Sequence, residues 1–138
     1  MVLPRDLRQR LIDVARSGLP NEVCGYVAGD PSAPLQAQAV YPVENSLASP
    51  IAFALDGQSM IDAEERIDEN GHEIIAVFHS HPTGPPVPSM RDTSNAAAYD
   101  PQNHLVHVIV SLQEFVPQIR IWRYTQRGPV ELLVIDEQ

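Results

Sequence analysis

The chain has 138 residues, a formal net charge of -9 and 43% hydrophobic residues. That length suits one compact domain, residues 1–138, with a core large enough to need no staples, and the acidity excludes a general affinity for nucleic acid or anionic membrane. Cys24 is the only cysteine, so no intramolecular disulfide forms, which fits a reducing compartment.

From the N-terminus, Leu3, Leu7, Leu11, Val14 and Ala15 recur at helical spacing among Arg and Asp residues. Pro4 suits a first turn and Gly18 a C-terminal stop, so a helix is expected over residues 4–17. Arg5, Asp6, Arg8, Arg10 and Asp13 interrupt the same stretch and leave no signal-peptide apolar core. No apolar run approaches the roughly 18 residues of a membrane span, and a soluble cytoplasmic protein is the expectation. "EVCGYVAG" and "LQAQAVYPVEN" read as strands, with Pro31 and Pro34 marking the turn between them. "SPIAFAL" reads as a further short strand. Asp56 is an N-cap for a helix ending at Asn70-Gly71, with Met60, Ala63 and Ile67 on one face.

"EIIAVFH" is apolar almost throughout, as a central strand buried on both faces would be. A proline-rich loop follows, then a short helix through "DTSNAAAYD" that Pro101 ends. "HLVHVIVS", "PQIRIWRYT" and "PVELLVIDE" complete the chain as three strands. Helices and strands mix without a regular βαβ repeat, so the expected class is α+β, a mixed, largely antiparallel sheet flanked by helices.

The chemistry concentrates in "FHSHPTGPPVPSMRD", residues 78–92. His79 and His81, at i and i+2 on a strand end, share a face, so both imidazoles can meet one metal ion at about 2.0–2.1 Å if it is zinc. Ser80 points the other way, toward hydrogen-bond partners in the surrounding loop. Asp92 can supply a third ligand if the loop folds back, and Pro82, Pro85, Pro86 and Pro88 reduce the entropy that closure costs. Glu22, just before the first long strand, is a candidate general base that is not itself a ligand. Ser89 offers a hydroxyl to a tetrahedral oxyanion.

Glu22, then His-Ser-His at 79–81, seven residues, Ser89, two residues and Asp92 together resemble the JAMM (MPN+) metalloprotease motif with every position filled. The order of helices and strands is also similar to that fold, with its cytidine-deaminase-like architecture, over nearly the whole chain. The resemblance implies a zinc isopeptidase with one Zn2+ and a bound water, held by His79, His81 and Asp92, with Glu22 as base and Ser89 as oxyanion partner. The implied substrates are ubiquitin-like or sulfur-carrier proteins with Gly-Gly C-termini. "NEVCGYVAG" and the compact length look most like bacterial and archaeal members. Two alternatives stay open: release of a single amino acid such as cysteine from a carrier C-terminus, and a catalytically silent scaffold.

Other reactive residue types read as structural. Cys24, inside an apolar strand without an activating base, reads as a small buried hydrophobe. His104 and His107, three apart on a strand, face opposite sides and suit packing or surface roles. His72 reads as a turn residue, and Glu64, Glu65, Asp68 and Glu69 as a solvated helix face. Trp122 and Tyr124 share a strand face that is either core or interface. All nine positive residues are arginine. The absence of lysine fits a GC-rich coding bias, or an enzyme of lysine conjugates that cannot itself be tagged on a side chain.

Overall fold

The structure is a computed structural model and describes residues 1–137. Its elements are β1 (Val2–Pro4), α1 (Arg5–Ser17), β2 (Cys24–Gly29), β3 (Ala39–Val43), α2 (Gly57–Glu69), β4 (Glu73–His81), α3 (Met90–Tyr99), β5 (Val106–Ser111), β6 (Gln118–Thr125), β7 (Gly128–Leu132) and β8 (Ile135–Glu137). Six strands form the main sheet in the order β3-β2-β4-β5-β6-β7. β4 and β5 run parallel and the other neighbours antiparallel, so the expected mixed, largely antiparallel α+β architecture is present. Among the described residues no helix is long and apolar enough to cross a membrane.

Alternation along β4 sorts the molecule into two layers. Ala76 and Phe78 face a core with Leu7, Leu11 and Ala15 of α1, which also holds Val106, Val108 and Val110 of β5. Val77 faces the opposite core with Ala63 and Ile67 of α2. Covered on both sides, β5 is buried along its whole length, as a central strand in such a sheet must be. Each large apolar side chain enclosed there stabilises the fold by about 1.5–3 kcal/mol. Gly25 permits this packing at one point, since a Cβ there would lie 2.5 Å from the Tyr41 carbonyl oxygen and 2.6 Å from the Phe78 ring. The period of two carries His79 and His81 onto the face of Val77, and Ser80 onto the face of Phe78.

Several expectations are corrected. "SPIAFAL" forms no strand and contributes only an isolated bridge, Asn45 with Leu55. The Asn45 side chain takes the partners a neighbouring strand would use: its Nδ2 donates to the Ala52 carbonyl at 3.1 Å and its Oδ1 accepts from the Ala54 N–H at 3.1 Å. "PVELLVIDE" breaks into β7 and β8, and β8 pairs in parallel with β1, a strand the helical pattern concealed. Pro4 stands at the N-cap of α1 rather than in its first turn. α3 begins at Met90 because Ser89 caps it, two residues ahead of the expected start. His104 precedes β5 instead of lying on it.

Candidate metal centre

The site forms where β4 ends. His79 and His81 are the last histidines of that strand, and α3 folds back so that Asp92 meets them. Asp92 Oδ2 lies 3.1 Å from His79 Nε2 and 2.9 Å from His81 Nε2, and the two imidazole nitrogens are 3.1 Å apart. All three residues are buried. Tetrahedral bonds of about 2.0–2.1 Å to zinc set ligand atoms about 3.3 Å apart, so this near-equilateral triangle would fit the base of such a site.

Each donor is aimed by further contacts. Ser89 and Asp92 form a capping box: the Asp92 N–H donates to Ser89 Oγ at 3.0 Å, and the Ser89 N–H donates to Asp92 Oδ2 at 2.9 Å. The cap thus fixes the candidate ligand Asp92, and the helix N-terminus favours its carboxylate. His81 Nδ1 lies 2.7 Å from the Pro85 carbonyl. Donation there leaves the Nε2 lone pair of neutral His81 directed at the triangle, as a metal ligand requires. His79 stacks on Phe53, ring centroids 4.5 Å apart, so part of the supposed "SPIAFAL" strand acts as a wall for the ligand.

Glu22 arrives from outside β2. Cys24 pairs with His79 in the antiparallel β2–β4 register, and two residues further the chain reaches the level of His81. The Glu22 backbone is held at both ends: its N–H donates to the Ser49 carbonyl at 2.9 Å, and its carbonyl accepts from Asn45 Nδ2 at 3.0 Å. Its side chain is 5% exposed, and the buried Oε1 has no hydrogen-bond partner among the described residues. Burial pushes its pKa up to about 7; the neighbouring Asp92 carboxylate adds to this, while His81 and Arg91 oppose it.

The cluster itself is polarised. Burial works against ionised Asp92, but hydrogen bonds from His79, His81 and the Ser89 backbone hold its carboxyl well below the usual range. Burial pushes His79 down. For His81 burial has the same sense, but Asp92 and the Pro85 carbonyl outweigh it and the net shift is upward. Two imidazoles and a carboxylate converging in a buried site form a centre that a cation would complete.

A cleft of about 350 Å3 opens onto this centre, lined by Glu22, His81 and Ser89 on the polar side and by Ile51, Val87 and Pro88 on the apolar side. Sequence reasoning missed the pair Asp100 and His107. Both are buried, with His107 Nε2 2.9 Å from Asp100 Oδ2. Asp100 also accepts the backbone N–H groups of His104 and Leu105, so it fastens the end of α3 to the start of β5. Trp122 and Tyr124, left open as core or interface, are core.

A mixed sheet whose central strand ends in a buried His-x-His pair, closed by a helical Asp, is the arrangement of a JAB/MPN-type domain. A family model described as prokaryotic homologs of the JAB domain matches residues 4–125, and the chain belongs to that family. The chain is 37% identical over 100 residues to the desampylase of Haloferax volcanii, covering 69% of this chain and 71% of that protein. It is 26% identical over 114 residues to the CysO-cysteine peptidase of Mycobacterium tuberculosis, covering 83% and 75%. The solution structure of protein DSY2949 from Desulfitobacterium hafniense superposes with a TM-score of 0.87 at 30% identity, covering 100% of this chain and 94% of that one.

Proposed function

We propose that this protein is a zinc-dependent peptidase or isopeptidase that hydrolyses amide bonds at the Gly-Gly C-terminal tail of a ubiquitin-like or sulfur-carrier protein. The observation that carries the reading is the convergence of three donor atoms within 3.1 Å of one another, with a buried carboxyl oxygen nearby, Glu22 Oε1, that has no hydrogen-bond partner among the described residues. His79 Nε2, His81 Nε2 and Asp92 Oδ2 would hold the metal. Zinc, when bound, supplies a Lewis acid that lowers the pKa of water and polarises a carbonyl.

Glu22 stays outside the ligand set and accepts the proton of the attacking water, then passes it to the leaving amine. Its raised pKa suits both halves of that cycle. Ser89 Oγ accepts from the Asp92 N–H, which leaves the hydroxyl proton to donate to the developing oxyanion. Pro50, Pro85 and Pro88 line the cleft, and a tail of two glycines passes such walls without a side chain to collide. The likeness to a desampylase supports a protein–carrier bond as substrate. The likeness to a CysO-cysteine peptidase supports a second substrate for the same chemistry, an amino acid joined to a carrier C-terminus. A silent scaffold is disfavoured because His79, His81 and Asp92 are all in place. The single cysteine suits the cytoplasm as the working compartment.

The deciding experiment incubates zinc-loaded protein with Gly-Gly-ended carriers, either conjugated to lysine or extended by cysteine, and identifies products by mass spectrometry. Cleavage after the second glycine that stops on chelation and returns with zinc is expected. Cleavage that survives complete metal removal excludes the mechanism.

A further inference from the structure

The crossing between His81 and Ser89 cannot hold itself together. Four of its seven residues are proline and donate no N–H, and its one internal backbone bond runs from the Val87 N–H to the Pro85 carbonyl at 2.8 Å. Proline restricts the local torsions but does not decide where the crossing lies over the sheet. Three consecutive carbonyls are instead gripped by three side chains from three neighbouring strands. The Ser111 hydroxyl at the end of β5 donates to the Gly84 carbonyl at 2.6 Å. His81 on β4 meets the Pro85 carbonyl at 2.7 Å. The Trp122 indole N–H on β6 donates to the Pro86 carbonyl at 3.0 Å.

The donors Ser111 and Trp122 are 1% and 9% exposed, and the Trp122–Pro86 bond is buried, so losing it leaves a buried carbonyl unsatisfied; the bonds to Gly84 and Pro85 are part-buried. Register explains how all three reach the same loop. Ser111 is the direct partner of His81 across β4–β5, and Trp122 pairs with His107 across β5–β6, on the face that carries the metal triangle. The grip ends three residues before Ser89, where α3 begins and delivers Asp92.

We propose that Ser111 and Trp122 are positioning residues for the metal centre: by fixing the Gly84 and Pro86 carbonyls they set the path of the crossing, and so the placement of Asp92 against the histidine pair. This rests on the reading of His79, His81 and Asp92 as metal ligands. The alternative is that both residues only fill the core and satisfy their own polar atoms.

The test measures zinc affinity by competition with a chromogenic chelator, well below the melting temperature of every variant. Trp122→Phe keeps the aromatic bulk and removes the donor; Ser111→Ala removes the hydroxyl. Each is expected to weaken zinc binding about tenfold, the scale on which partners behind metal ligands act. The same substitutions are then placed in an Asp92→Ala background, where zinc has only the two histidines. There the loss should shrink to less than about twofold, because the crossing no longer carries a ligand. Unchanged affinity in the single variant, or an undiminished loss without Asp92, overturns the proposal for that residue. If Trp122→Phe does not fold, Ser111→Ala carries both arms alone. Failure of the unsubstituted protein to bind zinc would instead sink the metal reading, which keeps the two outcomes apart.

Discussion

Ser80 and Val23 hold each other by a reciprocal pair of bonds: the Ser80 N–H donates to the Val23 carbonyl at 3.0 Å, and the Val23 N–H donates to Ser80 Oγ at 2.8 Å. The residue between His79 and His81 is thereby tied to the residue after Glu22. Strand alternation turns Ser80 away from the metal triangle, and this bond puts that orientation to use. Ser80→Ala leaves the half-buried Val23 N–H without its acceptor, at a cost of about 1 kcal/mol. Zinc stoichiometry should stay at one per chain, while kcat drops about tenfold or more because Glu22 loses its bearing on the site. Wild-type kcat in a folded, zinc-loaded Ser80→Ala protein would show that this tie does not matter for Glu22.

Glu22 should trade stability for activity in a pH-dependent way. Its folded pKa of about 7 lies above its usual 4.5. Such a carboxyl binds its proton more tightly when folded, so its favourable contribution is complete below 4.5 and lost as pH rises through about 7. Glu22→Gln has no charge to bury. In metal-free protein, the gain in Tm of Glu22→Gln over wild type should therefore be larger at pH 8 than at pH 5. Turnover should be abolished with metal still bound. The charge of a bound metal favours the carboxylate, so the acid limb of kcat/KM in the loaded enzyme should lie at or below about 7. Equal Tm differences at both pH values would mean that the Glu22 carboxyl is not the strained group the structure shows.

How much of this was legible in the sequence depends on the range of the cause. The β4 strand, the Asp56 cap of α2 and the His-x-His geometry follow from neighbours within a few residues, and all three are present. Ser89 and Asp92 are separated by the spacing of a capping box, so the start of α3 at Met90, two residues ahead of "DTSNAAAYD", is written in the sequence. "SPIAFAL" has strand composition, but Asn45 claims its backbone groups from outside the segment. The Asp100–His107 pair was illegible because it depends on where α3 meets β5, which no local pattern records. The three-sided grip on Gly84, Pro85 and Pro86 needs strand order as well as register.

Metal binding should release protons. Asp92 Oδ2 lies within 3.1 Å of two imidazole nitrogens, and zinc would need these donor atoms free of protons. The net upward shift of His81 has the same sense: its proton competes with the ion. Zinc affinity should therefore fall as pH is lowered, with the decline beginning above the ordinary histidine value of about 6.5. Calorimetric titrations in buffers of different ionisation enthalpy should detect net proton release on zinc binding near pH 7. An affinity flat between pH 6 and 8 would contradict competition between the His81 proton and the ion.

Cys24 provides the contrast between a buried thiol and a nucleophile. It sits on β2 opposite His79, close to the reaction centre, which makes a catalytic role superficially attractive. Its side chain is buried, however, and Sγ has only the Val43 carbonyl at 3.4 Å as partner. Burial, with a smaller effect from Glu22, pushes the thiol up to about 12. At pH 8 the thiolate fraction is then on the order of 10⁻⁴, too small to attack an amide or a labelling reagent at a useful rate. Native protein should resist iodoacetamide at pH 8 and be alkylated fully in guanidinium chloride. Cys24→Ala should keep its metal and most of its activity, with a stability loss of about 1 kcal/mol for the small cavity. Stoichiometric labelling of the native fold, with parallel loss of cleavage, would transfer the chemistry from Glu22 to the thiol and leave the unpaired Oε1 without a role.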